Sequence, residues 1–176
     1  MAGWRDAAPL TESEVSDTGA IATGFATGAL IAHVWAAVVW VGGMFFALLA
    51  LRPATALLEP GPRLELWARV LARFFAWVFA AIVLLLASGY GLIFGVFGGF
   101  AGAGAHVHVM QATGIIMMLV FLHVYFAPWR RFRAAVARRD TAEAARQLNQ
   151  IRWLVTANLV LGFLTVAVGS SGRYWG

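Results

Sequence analysis

The sequence predicts an all-α integral membrane protein, a bundle of four transmembrane helices with both termini on the extracytoplasmic side. Three observations predict it: the composition, four long uncharged apolar stretches, and the one-sided placement of arginine. Of 176 residues, 61% are hydrophobic and only 12% are charged, and the mean hydropathy is +0.79. A soluble domain has about 45–50% apolar and about 25% charged residues. A chain this short leaves much of its surface exposed, so the excess cannot be hidden in one core. Soluble enzymes, disordered chains and fibrous proteins are excluded, and the bilayer becomes the expected solvent. Cysteine is absent, which removes disulfides, thiolate metal sites and iron–sulfur clusters.

The chain divides into a flexible acidic tail, residues 1–20, and a four-helix transmembrane domain, residues 21–176. The tail carries Asp6, Glu12, Glu14 and Asp17 against Arg5 and lacks the basic start of a secretory signal. The first apolar stretch runs from Ile21 to Leu51 without a charge. The second covers Phe74 to Phe100, the third His106 to Phe126, and the fourth Trp153 to Gly169. Each meets or approaches the roughly 20 apolar residues that cross the hydrocarbon core as a helix. Backbone groups in lipid must be satisfied within the segment, which dictates helices, and the alternating pattern of a β-barrel is missing. Leu58 to Arg63, with Pro60, Gly61 and Pro62, reads as a turn before an amphipathic lead-in to the second span. Thr141 to Gln150 is polar and helix-favouring and reads as a short surface helix before the fourth.

The charges give the orientation. All thirteen basic residues are Arg. Four lie between Arg52 and Arg73 and seven between Arg130 and Arg152, so eleven share one membrane face. The positive-inside rule puts that face in the cytoplasm of a multi-pass protein of the bacterial inner membrane. The net charge of +5 therefore reports topology, and no nucleic-acid partner is expected. The expected surroundings are lipid.

Small residues let membrane helices approach. Gly24 and Gly28, then Gly91, Gly95 and Gly99, repeat at four-residue spacing, and Gly162 and Gly169 stand seven apart. Packing within one bundle is the plain use of these stripes. A homodimer or a larger membrane complex is the other.

No Asp, Glu, Lys or Arg lies well inside any span. That argues against the carboxylate relays of pumps and antiporters. The candidates left for chemistry are His33, His106, His108 and His123. Counted from the flanking arginines Arg52 and Arg130, His33 lies about 28 Å and His108 about 33 Å along a helix, but His123 only about 10 Å. His33, His106 and His108 thus share the outer part of the membrane. His123, beside Tyr125, reads as structural. His33, Ala37, Trp40 and Met44 fall on one stripe, which suits a pocket for a flat ligand. His108 is the better partner for His33, with His106 pointing the other way. Two imidazoles from two helices fit axial ligation of a b-type haem, with Trp40 against it, in an electron-transfer or membrane oxidoreductase role. The plainer alternative makes His33 an interhelical hydrogen-bonding residue. A second metal reading is copper, held by His33, His106, His108 and Met110, because imidazole and thioether are soft ligands suited to Cu(I). On a continuous helix His106 and Met110 share a face and His108 does not. A third reading is a structural or assembly subunit of a larger complex. The redox partner, a quinone or another carrier, leaves no mark in the sequence.

The stretch His33-Val-Trp-Ala-Ala-Val-Val-Trp40-Val-Gly42-Gly43-Met-Phe-Phe resembles the first helix of the CopD-type copper resistance membrane domain, where a His is followed seven residues later by Trp and a Gly pair. It is also similar to the HemJ-type protoporphyrinogen oxidases, which are compact four-helix membrane proteins. The resemblance implies a four-helix bundle with a functional His at His33, and either copper handling or a haem site. The HemJ type has Lys two residues after its helix-three His. Met110 stands there, which speaks against protoporphyrinogen oxidation.

Overall fold

The computed structural model describes residues 12–175, and every element in them is helical. The first eleven residues of the expected tail lie outside that range. Within the described residues α1 begins at Glu12. The five helices are α1 (Glu12–Ala37), α2 (Pro60–Gly95), α3 (Ala105–Phe126), α4 (Pro128–Ala137) and α5 (Thr141–Ser171). Four helical segments are long and apolar enough to cross a membrane, and the chain is a multi-pass membrane protein.

α1 does not stop at Ala37. It continues through a π-helical turn at Val38–Gly42, an α turn at Gly43–Phe46 and a second π turn at Ala47–Leu51. A π turn inserts a residue and rotates everything beyond it. Trp40 and Met44 of the expected stripe nevertheless turn inward, with Val41 and Ala47 beside them. Gly43 is needed there, because a Cβ would run into the ring of Phe74.

α2 starts with prolines in its first turn, where a missing N–H costs nothing. The link to α3 passes Gly98 and Gly99 at positive φ (67° and 111°), conformations glycine adopts without strain. α3 ends at Ala127, and Pro128 opens α4. Asp140 caps α5 by accepting a hydrogen bond from the Glu143 amide at 3.0 Å. The separate surface helix expected at Thr141–Gln150 is the beginning of α5 instead. No Gly or Pro interrupts residues 141–161, so one helix runs from the polar end into the span.

α1 packs on α2 and α3 on α5, and α4 lies across α5 with an edge on α2. The core gathers at the arginine-rich end. Phe75 meets Phe121 at 5.5 Å and Trp129 at 5.2 Å between ring centroids, both edge-to-face, a favoured aromatic geometry. Phe132 and Ala135 of α4 are fully buried beside them. Among the expected glycine stripes, Gly91 and Gly95 seat the ring of Phe25, and Gly162 and Gly169 seat Met117 and Met110. Gly24 and Gly28 face open space.

Candidate functional site

His33 sits half-buried on α1, facing α2. Its Nδ1 is 3.0 Å from Ser88 Oγ. The Ser88 hydroxyl donates to the carbonyl of Leu84 at 2.6 Å, so its remaining capacity is as an acceptor. His33 Nδ1–H therefore donates to Ser88, and Nε2 keeps its lone pair. A Cβ on Gly89 would come within 3.2 Å of His33 Cε1, so this glycine makes room for the ring. The interhelical hydrogen-bonding role of His33 is real. Its partner, Ser88, was overlooked in the sequence, where a Ser-Gly pair in a leucine-rich span was its one mark.

His108 lies elsewhere. It is exposed on α3 and stacks near Phe100 at 6.4 Å, and Phe100 in turn meets Tyr90 and Phe94 of α2. Ser88 and Tyr90 are two residues apart, about 200° around the helix. His33 thus meets α2 at Ser88 and Gly89, whereas His108 meets the Phe100 ring of the link. Among the described residues no hydrogen bond or ring contact joins His33 to His106, His108 or Met110, and no three His, Cys, Asp or Glu side chains cluster as a metal site. Trp40 is buried and meets Phe121 edge-on at 6.2 Å. His123 is exposed near the end of α3.

His106 and Met110 face the same neighbour, α5. Their four-residue spacing stacks them on one side of α3. The His106 ring lies over Gly172, where any Cβ would overlap it, and Trp175 approaches it edge-on at 6.4 Å. A Cβ on Gly169 would stand 3.1 Å from Met110 Sδ. The same face continues through Thr113 and Met117. Thr165 Oγ1 donates to Thr113 Oγ1 at 2.7 Å and lies 3.9 Å from Met117 Sδ. An imidazole and thioethers lined up on one face form a soft donor set. One further polar residue went unremarked in the sequence: Asn158, the only Asn within a span, is 3% exposed and its Nδ2 faces Met44 Sδ at 3.9 Å.

The family model described as copper resistance protein D, CopD, matches residues 68–171. The chain belongs to the CopD family. No curated protein and no solved structure matches it. The match spans α2 to α5 and so includes His106, Met110 and the face of α5 that receives them, while the His33 motif on α1 precedes it. The resemblance drawn from α1 and the match over the other four helices point to the same family.

Proposed function

We propose that this CopD-family protein handles copper ions in the bacterial inner membrane, with both termini and the His106 end outside and the arginine-rich end in the cytoplasm. The observation that carries the reading is the seat of Met110 on Gly169 of α5, inside the family match, with His106 of the same face over Gly172 just past its end. An imidazole and a thioether on one face suit cuprous copper better than a hard cation. His33 and His108 at the same end are the further donors.

The b-type haem between His33 and His108 is the second reading. The free Nε2 of His33 favours it, with Nδ1 anchored on Ser88 as ligating imidazoles are commonly anchored. That no contact among the described residues joins His33 to His108 weighs against it. A structural or assembly role, with or without a second copy of the chain, is what remains if no metal binds.

Detergent-purified protein titrated with Cu(I) against a chromophoric chelator separates the three. Copper binding that weakens by about tenfold or more in both His106→Ala and Met110→Leu supports the first reading, since even outer-shell changes at metal sites cost that much. A Soret band abolished by His33→Ala supports haem. Neither copper binding nor a chromophore leaves the structural role.

A further inference from the structure

We propose that a row of neutral soft donors along α5 carries a cuprous ion through the bundle, passing His106, Met110, Met117 and Met44 in that order and ending beside Asn158. The proposal rests on the copper reading and extends it from an outer pair of ligands to a route.

The row is set by two antiparallel helix faces. On α3, His106, Met110, Thr113 and Met117 recur at the helical repeat and share one side. On α5, Gly169, Thr165, Gly162 and Asn158 do the same in reverse, with Gly172 just past its end. The two sets meet rung by rung. His106 lies on Gly172, Met110 on Gly169, and Met117 beside Thr165, with its Cε 3.3 Å from where a Cβ on Gly162 would stand. The next rung comes from α1, where Met44 Sδ faces Asn158 Nδ2 at 3.9 Å. Measured along α5, these rungs fall at intervals of about 4.5, 6 and 10 Å. Met44 is flanked by the two π turns of α1, and such turns concentrate at functional positions.

Asn158 gives the inner end its character. Its Oδ1 is buried and has no hydrogen-bond partner, although buried polar atoms are nearly always paired. Asn158, Met44 and Trp40 line a cavity of about 10 Å³, on the scale of one water-sized occupant. A buried amide oxygen and a thioether facing one small void are suited to a transient monovalent cation. The chemistry of the whole row is consistent with passage. Every donor is neutral, so no fixed charge is left in the membrane when the ion has gone. The sites are separate and incomplete, which favours release as well as entry. Methionine is also a common core filler. However, Met118, next in sequence to Met117, is rotated about 100° off this face and has no place in the row.

The test uses proteoliposomes with Cu(I) outside and a Cu(I)-responsive fluorescent chelator inside. Met44→Leu and Met117→Leu keep side-chain volume, and monodisperse elution with an unchanged unfolding temperature verifies each fold. The proposal expects each to cut uptake by about tenfold or more, a ligand-scale loss, while Cu(I) binding at His106 and Met110 is retained and Met118→Leu behaves as wild type. Undiminished uptake in both folded variants overturns the route and leaves the copper reading standing. Binding without any uptake in the wild-type protein does the same. A wild-type protein that neither binds nor admits Cu(I) removes the copper reading and the route with it.

Discussion

At the arginine-rich end Phe75, Phe121, Trp129 and Phe132 are buried together and all five helices share one core, whereas at the end carrying His33, His106 and His108 the buried side chains thin out to Ser88, Ile93 and Ala103. The first end is closed by a dedicated element. α4 turns back after Ala127 and lays Trp129, Phe132 and Ala135 across α5. The second end is joined two helices at a time, by Phe25 in the Gly91–Gly95 groove and by His106 over Gly172. Lipid is as apolar as leucine, so packing density, more than burial from water, decides how firmly each end is held. Regions with few packed contacts open at low cost. The difference teaches that the packing is uneven along the bundle: the ring cluster fixes the helices at one end, and His33, His106 and His108 sit at the more thinly packed one.

Three substitutions sharpen or break that comparison. Phe75→Ala removes the ring at the centre of the aromatic cluster and is expected to cost about 3–5 kcal/mol, read as a large fall in thermal unfolding temperature in detergent. A loss below about 1 kcal/mol there would mean the arginine-rich end is not the anchor, since core phenylalanines do not go so cheaply. Gly43→Ala pushes a methyl group against Phe74 and is expected to cost about 1–3 kcal/mol by overpacking. The smallest effect belongs to the open end. Ser88→Ala removes the His33 partner and is expected to lower stability by only about 0.6 kcal/mol, the typical worth of an interhelical hydrogen bond in a membrane. Equal losses from Ser88→Ala and Phe75→Ala would erase the contrast between the two ends.

The spans and the His106–Met110 face were legible in the sequence because both depend on spacing along one helix. A shared His33–His108 site depends on how two helices are turned toward each other, which spacing along either one does not contain. Ser88 and Asn158 were passed over as ordinary polar residues among many apolar ones, and burial is what gives them weight. The α4 core residues were read as part of a charged loop, since Arg130, Arg131, Arg133, Arg138 and Arg139 surround them. In the helix those arginines and the buried Trp129, Phe132 and Ala135 occupy different sides.

The sequence by itself determined the solvent, the number of spans and the absence of charge within them, because backbone hydrogen bonding in lipid leaves a long apolar segment little choice but helix. It also determined that histidine and methionine are the available donors. Only the tertiary structure decided which donors share a seam. One continuous α5 offered Gly162 and Gly169 to α3, and α1 set Met44 against Asn158. Those outcomes follow from how ridges and gaps on different helices fit together, a long-range property that the spacing within any one helix does not contain.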